Sequence, residues 1–71
     1  MRRQKLSEEV RRQLLDLINS GSVGPGEPLP SERELMGRLR VGRPAIREAM
    51  QSLETIGLIE IRHGERARVV E

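Results

Sequence analysis

Leu29-Pro30-Ser31-Glu32-Arg33-Glu34-Leu35-Met36-Gly37-Arg38-Leu39-Arg40-Val41-Gly42-Arg43-Pro44-Ala45-Ile46-Arg47-Glu48-Ala49 is the stretch that decides the fold. Ser31 and Glu34 stand at the S-x-x-E spacing of a capping box, which satisfies two orphan amides at a helix start. The helix they open is predicted to run to about Leu39, with Leu35, Met36 and Leu39 facing inward. Arg40 and Val41 turn the chain, with Val41 as a buried anchor. Gly42 can N-cap a second helix, and Pro44 falls in its first turn, where the missing N–H costs nothing. That helix is predicted to reach about Thr55. Ile46, Ala49, Met50, Leu53 and Ile56 form its core stripe, while Arg43, Arg47, Gln51 and Glu54 fall on a different face. Gly57 suits the position just past its end.

Working outward, Leu58 to Ile61 and Ala67 to Val70 read as paired strands, with Arg62 to Arg66 as the turn. On the other side, Ser7 can cap a helix running to about Asn19. Val10, Leu14, Leu17 and Ile18 give it one apolar face, and Glu8, Arg12 and Asp16 pair at i,i+4 on the wet side. Gly21 ends this helix, and Ser22 to Pro30 is a loop rich in glycine and proline. Met1 to Lys5 reads as a flexible basic tail, either a frayed terminus or an arm touching phosphates. The fold class is therefore mainly α with a small β-hairpin. It is a winged helix-turn-helix of three helices and a two-stranded wing, occupying residues 6–71 as one domain.

Composition narrows the function classes. A chain of 71 residues buries only about 60% of its unfolded surface, so one modest core is all it can build. There is no Phe, Tyr or Trp, so the core must be aliphatic, and modules that stack single-stranded bases on aromatic rings are disfavoured. Without cysteine there is no disulfide framework and no thiolate metal site. A lone histidine, His63, cannot build a typical zinc site, so neither a metal nor a cofactor is expected. No apolar run is long enough to span a membrane and no signal-peptide core appears, which predicts a cytoplasmic protein. An enzyme is disfavoured: no serine stands in a nucleophile elbow, and so short a chain scarcely encloses a pocket.

The cations carry the positive evidence. The net charge is only +2, yet twelve of the thirteen basic residues are arginine, whose planar fork suits guanine and phosphate. Arg33 and Arg43 each fall in a first helical turn, where the dipole disfavours a cation and favours an anion. A phosphate or base edge would resolve that conflict; neighbouring glutamates are the plain alternative. Arg47 lies at i+4 from Arg43, on the side of the helix that the core does not use. His63 and Gly64 at the hairpin tip can enter a minor groove, or His63 is simply an exposed turn residue. Arg62, Arg66 and Arg68 suit phosphates, although alternation in a half-buried strand also accounts for Arg66 and Arg68.

Three motifs together resemble the GntR family of transcription regulators, in particular its FadR-like branch. They are Leu29-Pro30-Ser31-Glu32-Arg33-Glu34-Leu35, Val41-Gly42-Arg43-Pro44-Ala45-Ile46-Arg47-Glu48-Ala49, and Gly57-Leu58 followed by Arg62-His63-Gly64. The resemblance covers about residues 6 to 70, and Gly64 to Val69 looks most like regulators of sialic acid catabolism. It implies a winged helix-turn-helix that binds a palindromic operator in double-stranded DNA as a homodimer. By motif position, Arg33, Arg43 and Arg47 would contact the major groove. Gly42, Pro44 and Ala45 would approach DNA at the turn and helix start, and His63 and Gly64 would enter the minor groove. Where the family often has threonine or serine, this chain has Gly42, Pro44 and Ala45, so only backbone or apolar contact is possible there. The resemblance also implies a larger C-terminal domain, absent from this chain, that binds an effector metabolite and holds the dimer. The alternative is a winged-helix protein-interaction module without DNA binding, which would need an exposed apolar patch on the third helix.

Overall fold

In the computed structural model the helix predicted from Ser31 begins as its capping box dictates. The Glu34 N–H donates to Ser31 Oγ at 3.1 Å, and the Ser31 N–H donates to Glu34 Oε1 at 3.3 Å. The structure describes residues 2–71, with side-chain surroundings from residue 5 onward. In chain order the elements are α1 (Arg2–Asn19), α2 (Glu32–Leu39), α3 (Arg43–Thr55), β1 (Ile59–Glu60) and β2 (Arg68–Val69). The strands pair antiparallel in the register Ile59 to Val69 and Glu60 to Arg68.

The core is wholly aliphatic. Val10 and Leu14 of α1, Leu35 of α2, and Ile46, Ala49, Met50 and Leu53 of α3 are buried together with Val23, Leu29, Ile59, Ala67 and Val69. No polar or charged side chain is buried among the described residues. Burying each large aliphatic side chain contributes about 1.5–3 kcal/mol, offset by chain entropy, so the wet and dry faces of α3 are set by its apolar spacing.

Glycine closes α1 and α3. Gly57 (φ 83°) donates to Glu54 O at 3.0 Å, and the Leu58 N–H donates to Leu53 O at 3.0 Å, together a Schellman ending. Gly21 (φ 84°) closes α1 by donating to Ile18 O at 3.2 Å. Helix α2 ends differently. Arg40 takes the left-handed conformation (φ 57°, ψ 46°) and donates its N–H to Met36 O at 2.9 Å.

Several expectations need correction. Helix α1 starts at Arg2, so Ser7 lies inside it rather than capping it, and Arg2 to Lys5 are helical instead of a tail. Arginine, glutamine and lysine are good helix formers, and nothing between Arg2 and Leu6 breaks the helix. Met1 lies outside the described residues. Ile56 is 62% exposed, because it is the C-cap (φ −88°, ψ 5°), where the chain leaves the helical track and the stripe ends at Leu53. Val41 is only half-buried. The strands are two residues each, shorter than predicted, in part because the Ile61 N–H donates to Glu54 Oε2 at 3.2 Å.

The loop before α2 does more than connect. Gly26 N–H donates to Val69 O at 2.8 Å, Val69 N–H to Glu27 O at 3.1 Å, and Leu29 N–H to Ala67 O at 2.8 Å. Residues 26–29 therefore line the free edge of β2, with a bridge between Pro28 and Arg68. Pro28 and Pro30 lack a donor but flank Leu29, whose N–H makes the bond, as an edge strand permits.

An arginine in the left-handed region costs about 1–2 kcal/mol. Arg40→Gly is therefore expected to raise stability by about 0.5–1 kcal/mol, net of glycine's extra chain entropy. Thermal unfolding checks this: an unchanged or lowered midpoint would mean that the Arg40 side chain compensates the strain.

Candidate nucleic-acid interface

Helix α3 begins at Arg43, after Gly42 in extended conformation (φ −81°, ψ 166°) that makes no side-chain cap. The Ile46 N–H reaches Gly42 O at 3.4 Å. The N–H groups of Arg43 and Ala45 precede the first possible intrahelical bond, so this helix end carries free donors and the positive end of the dipole. Arg43 and Arg47 rise side by side from it, with side chains 51% and 63% exposed.

One carboxylate joins them. Glu32, the first residue of α2, places Oε1 3.3 Å from Arg43 Nε and Oε2 3.3 Å from Arg47 Nε. Within its own helix the plain partner of Arg47 would be Glu48 or Gln51, yet the carboxylate 3.3 Å from its Nε is that of Glu32 in α2. A glutamate in the first turn of α2 is favoured by that helix's own dipole. It also supplies the anion that the α3 start, with Arg43 on it, would otherwise lack.

The wing adds further cations. Arg62, His63, Gly64 and Glu65 make the tip, where Glu65 N–H donates to Arg62 O at 3.1 Å. Gly64 has φ 78°, the value a type II turn requires at its third residue. Arg66 reaches back to Glu34 Oε1 at 3.0 Å, and Arg62 pairs with Glu60 at 3.4 Å. Between the start of α2 and the wing lies an open groove of about 430 Å³. Arg33, Gly64 and Arg66 line it over a floor that includes Met50 and Ile61. Glu54 fixes the approach to the wing by accepting from the Ile61 N–H.

The predicted site residues fall into three groups. Arg43 and Arg47 come together on Glu32, with Gly42 and Pro44 exposed beside them. Arg33, Gly64 and Arg66 share the groove, and Arg33 is exposed with no ion pair among the described residues. His63 is exposed at the tip. Ala45 needs correction: its side chain is 3% exposed, so it faces the core and has no apolar contact to offer outside. It lies one residue before Ile46, at the edge of the buried stripe. Sequence reasoning missed the roles of Glu32, Glu34 and Glu54 in holding these cations and the wing. Only Glu34 carried any signal, and that was for the capping box.

Three helices, a two-stranded wing and a cationic start to α3 define the winged helix-turn-helix class. Within it, the chain belongs to the bacterial regulatory proteins of the gntR family, whose pattern matches residues 6–69. It is similar to the HTH-type transcriptional repressor NanR of Cronobacter sakazakii, with 54% identity over 67 residues, 94% of this chain and 26% of that protein. NanR of Escherichia coli strain K12 matches to the same extent, 54% over 67 residues with 94% and 26% covered. The chain thus spans about a quarter of the length of these relatives. Among solved structures, AraR(DBD) in complex with operator ORR3 superposes with a TM-score of 0.88 at 31% identity, covering 92% of this chain and 78% of that one. GntR of Streptococcus agalactiae gives a TM-score of 0.80 at 38% identity, with 92% and 32% covered.

Glu54→Ala should free the Ile61 amide and speed its hydrogen exchange, with a loss of global stability of about 0.5–1.5 kcal/mol for the one bond. Amide exchange followed by NMR reads this directly, and an Ile61 amide that exchanges as before would show that Glu54 does not hold the wing.

Proposed function

We propose that this chain is the sequence-specific double-stranded DNA-binding domain of a bacterial transcription regulator, with α3 in the major groove and the wing in the minor groove. One observation carries the reading: Arg43 and Arg47, one turn apart at the start of α3, are presented together and exposed, each meeting Glu32 through its inner Nε. An α-helix fits the major groove, and side chains near its N-terminus reach base edges there. Arg43 and Arg47 read bases in the major groove with Arg33 beside them, while Arg66 holds a phosphate and sets register. His63 and Gly64 enter the minor groove, where Gly64 lets the backbone come close. The exposed pairs of Arg66 with Glu34 and Arg62 with Glu60 are weak in water and exchange readily for phosphate.

The similarity to NanR repressors and to an operator-bound AraR domain supports this reading. Since those NanR relatives are longer, we extend it to a metabolite-responsive repressor that acts in the cytoplasm as a homodimer on a palindromic operator. Its effector would bind a C-terminal domain outside this chain. A protein-interaction module is less well supported, because the outer face of α3 carries Arg43, Arg47, Glu48 and Gln51 instead of an apolar patch.

Selection of duplexes from a random pool, followed by anisotropy titrations along a salt series, tests the proposal. An enriched sequence with steep salt dependence is the expected result; absence of binding at low salt would refute it. On the enriched duplex, Arg43→Ala should cost about 1–3 kcal/mol and relax the preference at one base pair. Arg66→Ala should weaken all duplexes alike and lower the salt slope by about one. A sequence-selective loss at Arg66, or an unchanged base preference without Arg43, contradicts these assignments.

A further inference from the structure

We propose that Glu32 is a positioning residue for base recognition, and that it biases Arg43 and Arg47 towards base edges and away from phosphates. The inference rests on the reading of α3 as the DNA-contacting helix. Each oxygen of the one carboxylate sits 3.3 Å from a different Nε, Oε1 with Arg43 and Oε2 with Arg47. Nε is the inner nitrogen of the guanidinium. Engaging it leaves both terminal nitrogens, with four N–H donors, free on each arginine. Those ends make the bidentate contact to guanine O6 and N7.

Two consequences follow. The first is ordering. Arginine side chains this exposed lose much rotamer freedom on binding, and a partner at Nε removes part of that loss beforehand. The second is discrimination. A phosphate that meets the terminal nitrogens also meets the negative charge of Glu32 behind them. Guanine presents neutral acceptors and meets no such repulsion. Built-in repulsion against the wrong partner is a general route to specificity. The geometry of Glu32 is distinct from the other pairs. It serves two cations and its side chain is 33% exposed, whereas Glu34 and Glu60 pair with one cation each and are more than half exposed.

The test uses Glu32→Gln, which keeps the shape of the side chain but removes the charge and leaves one accepting oxygen for two arginines. The unmodified chain first selects a duplex from a random pool. Both proteins are then titrated, along a salt series, with that duplex and with a scrambled duplex of equal length and composition. The expected result is tighter binding of the scrambled duplex with a salt slope steeper by about one to two phosphate contacts. The ratio of selected to scrambled affinity should fall by about ten-fold, the scale of one lost bidentate contact. An equal gain on both duplexes, with the ratio unchanged, overturns the proposal and leaves Glu32 as diffuse charge. Glu32→Asp guards against a folding defect: it keeps the charge but is one methylene short of spanning both arginines. It should lose selectivity without gaining scrambled binding, and full selectivity in this variant also overturns the proposal. If the unmodified chain enriches no duplex, the DNA-binding reading itself fails and this proposal with it. Enrichment with an unchanged ratio sinks only the role of Glu32.

Discussion

Helix α3 has one buried stripe, and the direction of that stripe governs everything the molecule presents. Ile46, Ala49, Met50 and Leu53 lock it against α1, α2 and the small sheet. With those four side chains inside, Arg43, Arg47 and Gln51 have only the opposite side. The apolar core therefore does two jobs with one set of residues. It supplies what stability a short chain can have, and it aims the arginines. The core is aliphatic and carries no buried polar group among the described residues, so the orientation of α3 rests mainly on shape and burial, with one hydrogen bond from Arg11 to Ser52 Oγ at 3.1 Å joining it to α1.

The cations of the interface stand beside carboxylates rather than alone. Glu32 serves Arg43 and Arg47, Glu34 serves Arg66, and Glu60 serves Arg62. Exposed pairs of this kind contribute little to folding. They leave acidic and basic side chains interspersed on a chain of net charge +2. Glu34 and Glu60 meet the terminal nitrogens of Arg66 and Arg62, whereas Glu32 meets the inner Nε of Arg43 and Arg47. Arg33, exposed and without an ion pair among the described residues, is the exception, and it lies on the groove between α2 and the wing.

The wing is short and leans on the rest of the fold. Its two-residue strands would be marginal alone. Residues 26–29 pair along the outer edge of β2, Glu54 holds the Ile61 amide, and the Schellman ending of α3 directs the chain into β1. The tip bearing His63 and Gly64 is thereby fixed relative to α3 by contacts on both sides of the hairpin.

Helix boundaries at Glu32, Arg43 and Thr55 were legible in the sequence, because a capping box, a first-turn proline and a glycine past the helix end each act within four residues of the boundary they mark. The stripe of α3 was legible for the same reason, as were Arg43 and Arg47 as a pair one turn apart. Ile56 broke the pattern only because periodicity cannot tell where a helix is left. Tertiary structure alone decided the rest. Glu32 lies fifteen residues before Arg47, and no spacing rule carries across a turn to a second helix. The pairing of residues 26–29 with β2 spans about forty residues, and glycines and prolines that read locally as loop conceal it. Ala45, beside Ile46 on the buried side of α3, is likewise turned inward. Local chemistry writes itself into short spacings; the meeting of distant segments is settled by which apolar faces can be buried together.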